Sequence, residues 1–392
     1  MTVIAPEGWS AGQLGDFIEL KRGYDLPSRE RRDGPFPIVS SSGPSGTHVE
    51  AKVKGPGVVT GRYGTIGQVF FVEGDYWPLN TALYVRDFKG SDPRFVSYFL
   101  GSIDFNKYVD KAAVPGVNRN HVHLEEVAFP PLDEQRRIAA VLGALDDKIA
   151  LNRKMNRTLE AMAQAIFKSW FIDFDGHNDL VDSEIGPVPR GWEVGSPDAF
   201  VEFDPTIPLR KATEAVYADM KAIPTSGPAV SEWTRRAYAG GTRFQQGDTL
   251  LARITPCLEN GKSALVDFLA DGEVAFGSTE FIVLRPRPGV PRVWPYCLVR
   301  HEPFRAHAIA NMTGSSGRQR VSAGALLGFR LAVPPAEVLR RFGAVSDPLF
   351  ERITANTRES TTLASLRDAL LPKLISGEVR VPETQGLVEA AS

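Results

Sequence analysis

A heptad pattern occurs twice in this chain, 204 residues apart, and the two copies match without a gap. In the first copy Ile138, Leu142, Leu145, Ile149, Asn152, Asn156, Leu159, Ala163, Ile166 and Trp170 follow one another in alternating steps of four and three. Eight of these ten are apolar, which gives one helix face a continuous seam. No proline falls between Leu132 and Phe171, and Gly143 is the one glycine there. The spacing predicts a helix over 132–172, roughly 55–60 Å long at 1.5 Å per residue. Adding 204 to each number gives Phe342, Ser346, Leu349, Ile353, Asn356, Ser360, Leu363, Arg367, Leu370 and Leu374. These predict a second helix over 336–378. Asn152 and Asn356 fall at the same point, as a register-setting polar pair would.

Each seam follows an extended apolar run that ends in two prolines, Val127-Ala128-Phe129-Pro130-Pro131 and Leu331-Ala332-Val333-Pro334-Pro335. Proline neither continues a ladder nor sits inside a helix, so each pair marks a strand-to-helix boundary. The repeat reaches upstream, where Trp9 opens one half and Trp192 the other. The segments between carry short strand patterns, such as Val58-Val59-Thr60, Gln68 to Val72 and Glu280 to Leu284. Gly176, Gly186, Pro187 and Pro189 make 173–191 a linker. The expected fold is α+β: globular mixed α/β segments at 1–131 and 192–335, each followed by a long helix, with a flexible tail over 379–392. Two matching apolar seams in one chain are most simply satisfied by each other. The two helices should pack as an antiparallel coiled coil with pseudo-twofold symmetry.

Composition narrows the function by exclusion. The 392 residues are 43% hydrophobic and 23% charged, as in soluble globular proteins. No apolar run is long enough to span a membrane, and the first residues lack the pattern of a signal peptide. Cys257 and Cys297 make neither a disulfide framework nor a zinc motif, which favours a reducing, cytoplasmic setting. A net charge of −2 excludes binding by gross basicity but leaves local basic patches open. Asn260-Gly261-Lys262-Ser263 lacks the first glycine of a phosphate loop, since Pro256 stands there. Gly61, Gly64 and Gly67 are spaced three and three, not as in a dinucleotide turn. His121 and His123 alternate along what reads as an extended run, so they should point apart and share no metal. No Asn-Pro-Pro-Tyr type adenine-methylation motif and no nuclease carboxylate–lysine cluster is present.

Certain segments resemble a known family. Asp133-Glu134-Gln135-Arg136-Arg137-Ile138-Ala139 and Leu151-Asn152-Arg153-Lys154-Met155-Asn156-Arg157 are similar to the central region of type I restriction–modification specificity subunits. Ser183 to Trp192 and Leu371 to Glu378 resemble two further segments of that family, and the likeness runs over about 7–380. The resemblance implies a non-catalytic subunit in which two target-recognition domains each read half of a bipartite, asymmetric DNA site. It implies that the helix pair separates the readers and docks two adenine methyltransferase subunits, and that ATP- and Mg-dependent restriction subunits can join. S-adenosylmethionine would belong to the methyltransferase, and no cofactor or metal to this chain.

Polar, glycine-flanked loops supply candidate DNA contacts, because arginine suits guanine and asparagine or glutamine suits adenine in the major groove. In the first segment these are Ser41, Ser42, Arg62, Tyr63, Thr65, Asn118, Arg119 and His121. In the second they are Arg253, Thr255, Asn260, Lys262, Arg318, Gln319 and Arg320. Phe167, Trp170, Phe171 and Phe174 exceed what one seam can bury, so they are expected to be exposed and to dock the methyltransferase. A coiled-coil scaffold whose two ends bind proteins is the competing reading. It gives little reason for well-matched helices beside divergent ends.

Overall fold

Both double-proline boundaries fall where expected. In the computed structural model, which describes residues 5–109, 115–315 and 317–382, strand Glu126–Phe129 leads into helix Leu132–Phe171. Strand Leu331–Val333 leads in the same way into helix Ala336–Ile375. Acidic Asp133, Glu134 and Glu337 occupy the first turns, and Lys168 and Lys373 the last, each favourable to the helix dipole. Gly377, at φ +74°, ends the second helix with its N–H on the Leu374 carbonyl, a left-handed position that favours glycine.

The chain forms two compact units, residues 1–149 with 361–392 and residues 150–360. Each holds part of each long helix. In the first unit the helices run antiparallel, with Asp146 bonded to Arg367 and, past the end of the second helix, Glu134 to Arg380. They are antiparallel in the second unit too. There Asn152 Nδ2 donates to the Glu359 carboxylate at 2.8 Å, and Asn156 Oδ1 accepts from Asn356 Nδ2 at 2.8 Å. Asn152 and Asn356 are buried within this polar cluster. A seven-residue slip would strip their amides of partners, at about 1–3 kcal/mol for each buried group, so the cluster favours one register.

The globular part of the first unit carries an antiparallel sheet in the order Glu19–Arg22, Ala82–Asp87, Gly57–Gly61, Val69–Val72. A smaller sheet orders Gly43–His48, Phe36–Ser40, Trp77–Pro78, the last two parallel. The second unit repeats this plan. One sheet orders Val201–Phe203, Phe281–Pro286, Thr249–Ala252, Ser263–Leu265. The other orders Thr234–Ala237, Glu214–Ala218, Val274–Gly277, Thr242–Gln245, again with one parallel pair, here the central one. Strand Ser10–Gln13 pairs with Glu126–Phe129, and Glu193–Gly195 with Leu331–Val333. Each globular segment is thus closed by its own first and last strands. The linker carries a short hairpin, Leu180–Val181 with Val188–Pro189, where the sequence suggested only loop.

A short helix ties each globular part to the long helices, and the two are related. Helix Pro93–Ser102 begins Pro93-Arg94 and carries Tyr98 and Leu100; the segment Pro291-Arg292 leads helix Val293–Arg300 with Tyr296 and Leu298. Asp92 caps the first, accepting from the Phe95 N–H at 2.8 Å, with Pro93 at its first turn. Arg94 reaches Asp147 at 3.0 Å and the Gly143 carbonyl at 3.2 Å. Arg292 lies 3.9 Å from Asp347 and 3.8 Å from Glu351, the positions 204 residues on. Gly143 leaves room for this contact, since an added Cβ would come within 2.7 Å of the Arg94 guanidinium.

Candidate nucleic-acid interface

In the first unit the sheet strand Gly57–Gly61 ends in the glycine-flanked turn read from the sequence. Arg62 and Tyr63 N–H both donate to the Thr81 carbonyl, at 3.0 and 3.2 Å, while the Ser41 N–H meets the Thr81 hydroxyl. The Arg62 carbonyl accepts from Val117 N–H at 3.0 Å, which draws in the segment leading to Asn118. Tyr63 lies against Gly116, where any Cβ would fall 2.2 Å from its ring, and Arg62 sits over that ring at 4.4 Å. Together these segments line an open cleft of about 620 Å³. Four expected residues, Arg62, Tyr63, Asn118 and Arg119, share it with Asn120. Lys21, Arg22, Tyr24 and Asp25 line it as well and went unnoticed in the sequence. The Lys21-Arg22-Gly23 run at the end of strand Glu19–Arg22 was the available signal.

Other first-unit candidates lie beside the cleft or away from it. The Ser41 hydroxyl is close to Gly64, and Ser42 pairs with the Ser40 hydroxyl at 3.1 Å. The Thr65 carbonyl faces Gly61 across the same turn. The run around His121 is not extended but a short helix, Arg119–His123, capped by the Asn118 side chain. His123 Nε2 accepts from the Leu20 N–H at 2.9 Å, so it serves the fold. Burial lowers its pKa, which keeps it a neutral acceptor.

The second unit carries the same scaffold with different chemistry. Arg253 N–H donates to the Glu280 carbonyl at 2.9 Å, and the Arg253 carbonyl accepts from Val321 N–H at 3.0 Å. Arg253 therefore corresponds to Arg62, Glu280 to Thr81 and Val321 to Val117. Thr255 N–H reaches the Gln319 carbonyl at 3.1 Å, so Arg253, Thr255, Gln319 and Arg320 are neighbours. Arg320 forks onto Glu280 at 2.7–3.0 Å, and this hydrogen-bonded partner holds the Glu280 carboxyl below its usual range. Arg318 is tied to this group through its carbonyl, which accepts from Arg320 at 3.2 Å.

Two expectations change here. Asn260 and Lys262 do not join that group: Lys262 donates to the Met220 carbonyl at 2.7 Å, and neighbouring Gly261 faces Arg300 and Arg305. Arg253 spends its Nε on the Val321 carbonyl at 3.0 Å, which anchors a loop. A larger correction concerns the aromatic cluster. Phe167, Phe171 and Phe174 are buried rather than exposed, and Trp170 is half-buried beneath Arg341. Phe167 and Phe171 pack edge-on to Trp294 and Phe342, and Phe174 to Trp192. Rings from the second globular part fill the space that the sequence left open for another subunit.

Among the described residues no group of three or more His, Cys, Asp or Glu could hold a metal ion, and no helix is long and apolar enough to cross a membrane. Residues 6–161 match the family described as type I restriction modification DNA specificity domain. The MjaIX specificity subunit of Methanocaldococcus jannaschii, a type I restriction enzyme component, is 28% identical over 280 residues, 66% of this chain and 61% of that subunit. The HindI specificity subunit of Haemophilus influenzae is 37% identical over 89 residues, 21% of this chain and 19% of its own length. The EcoAI specificity subunit of Escherichia coli is 30% identical over 140 residues, 34% and 24% respectively. The chain thus spans about three-fifths of the first of these relatives and a quarter or less of the other two. In fold it is similar to the S subunit of a type I restriction–modification system from M. genitalium, at a TM-score of 0.62 and 15% identity over 96% of this chain and 97% of that one. The chain is thus similar to the type I restriction modification DNA specificity domain over residues 6–161, to type I specificity subunits in sequence, and to an S subunit in fold.

Proposed function

We propose that this chain directs a type I complex to DNA by reading two different half-sites, one with each globular segment. The observation that carries this reading is one scaffold built twice, with an arginine in common (Arg62, Arg253) and unlike side chains at two further matching loop positions: Thr81 and Gly116 in one, Glu280 and Arg320 in the other. A device for recognising one asymmetric double-stranded site needs this combination. The open cleft supplies arginine and asparagine donors suited to base edges. With a net charge of −2, much of the phosphate affinity would come from partner subunits while this chain discriminates bases.

The partners in this reading are two adenine methyltransferase subunits, which carry S-adenosylmethionine, and restriction subunits driven by ATP and Mg. The chain itself binds no cofactor, performs no chemistry and works in the cytoplasm. The helix pair sets the number of unread base pairs between half-sites. Four extra residues add about 6 Å, close to two base pairs at roughly 3.4 Å each.

The test is methyl-adenine sequencing of DNA from cells carrying the chain with its methyltransferase subunit. A bipartite motif methylated in both halves, lost when this gene is deleted, is the expected result. Replacing 192–335 with the matching segment of a relative should alter one half of the motif only. Methylation that persists without the gene, or a swap that changes both halves, would refute the two-reader assignment. A protein-binding scaffold would leave the methylome untouched.

A further inference from the structure

The loop geometry of the second unit assigns a reading role to one ion pair. At the position of Arg320 the first unit has Gly116, and at the position of Glu280 it has Thr81, so the pair exists in one reader only. Arg320 Nε lies 3.0 and 2.9 Å from the two Glu280 oxygens, and Nη2 donates to Oε1 at 2.7 Å. Nη1 donates to the Arg318 carbonyl at 3.2 Å. A guanidinium has five N–H groups, and three are used here. One N–H remains on each terminal nitrogen, and an arginine offers guanine O6 and N7 two such donors. The Arg320 side chain is 43% exposed, so those two groups are open to a ligand while the rest are fixed. The backbone is fixed as well: Arg320 and Thr313 exchange hydrogen bonds at 2.8 and 2.9 Å, and the next residue, Val321, donates to Arg253.

We propose that Arg320 reads a guanine in the half-site of the second globular segment, and that Glu280 is a positioning residue that aims its free edge. This rests on the reading of the chain as a DNA-specificity subunit. A planar fork already clamped on one side loses less rotamer freedom on meeting a base, and cannot swing away to a phosphate. A surface ion pair of this exposure contributes little to stability, so its effect should lie in discrimination.

The experiment is methyl-adenine sequencing in cells carrying the full chain with its methyltransferase subunit, for wild type, Arg320→Lys, Arg320→Ala, Glu280→Gln and the double variant Glu280→Gln with Arg320→Ala. The half-site assigned to 192–335 by segment replacement should contain a guanine. Arg320→Ala and Arg320→Lys should relax preference at that single position by roughly tenfold to a hundredfold, leaving the other half-site unchanged. Glu280→Gln should relax the same position to a lesser degree and add nothing in the Arg320→Ala background. Uniformly weaker methylation with unaltered base preference would overturn the proposal and leave Arg320 a phosphate or structural contact. A second half-site without guanine would overturn it too. Methylation independent of the gene would instead refute the parent reading, so the two failures are distinguishable.

Discussion

The two units close the same helix seam with opposite chemistry. In the first, Tyr98 donates to Asp146 at 2.6 Å, and Arg367 on the other long helix donates to the second oxygen of the same carboxylate at 2.6 Å. Burial pushes the Tyr98 hydroxyl well above the usual tyrosine range, so it remains a donor. In the second unit the position 204 residues after Asp146 is Phe350, and the position 204 before Arg367 is Ala163. Tyr296, the counterpart of Tyr98, packs its ring on Phe350 at 5.4 Å and sends its hydroxyl to Glu160 at 2.6 Å instead. The lesson is that a duplicated seam conserves shape and helix direction while leaving the choice between charge and ring free. Each choice demands its own partners, so neither half can be exchanged one residue at a time.

The largest break in the comparison should come from the ring side. Phe350 is 2% exposed, and Phe350→Ala should lower stability by about 3–5 kcal/mol, measured by urea unfolding. On the charged side, Asp146→Ala leaves Tyr98 without its acceptor and Arg367 with Asp368 alone. Because Asp146 is about one-third exposed, the loss should be about 1–2 kcal/mol. Asp146→Phe with Arg367→Ala, which copies the second unit's choice, should recover part of it.

A further contrast is sharpened by pH. The second unit keeps a buried acid, Asp267, which accepts from the Thr354 hydroxyl on the second long helix. Burial raises its pKa above the ordinary carboxylate value. Its favourable contribution is therefore complete below that ordinary value and is lost as pH rises through the raised one. Asp267→Asn should gain stability relative to wild type as pH rises from about 4 to 7. A difference that stays flat with pH would remove this role. Smallest of all, Arg94→Lys replaces the two-pronged contact to exposed Asp147 and should cost about 0.5 kcal/mol, shrinking in high salt. An effect of several kcal/mol would mean that the short docking helix depends on charge far more than its exposure implies.

The repeat, the two long helices, their antiparallel pairing and the strand–proline–proline boundaries were legible because all are local or periodic. The paired docking helices were not. Tyr98 and Tyr296 are 198 apart, not 204, because the insertions of the second globular segment accumulate unevenly along the chain. The buried fate of Phe167 and Phe171 was hidden because Trp294, which covers them, lies more than a hundred residues away. At the candidate interface the glycine turn was visible as a unit, and Arg62 with Asn118 proved to share a cleft. The bond of Lys262 to the Met220 carbonyl could not be read from residue type alone.

The strand pairs Ser10–Gln13 with Glu126–Phe129, and Glu193–Gly195 with Leu331–Val333, carry a consequence for how a segment can vary in length. Each pair brings together the start of a globular segment and its end, just before a long helix begins. Everything between begins and ends at one clasp, so the geometry there does not depend on what the segment contains. The two segments hold roughly 110 and 135 residues between their clasps. The extra chain-closure entropy of the longer one is only about 0.2 kcal/mol, because that penalty grows with the logarithm of length. A segment of different length joined at the same clasp would therefore meet the same backbone geometry at little extra cost.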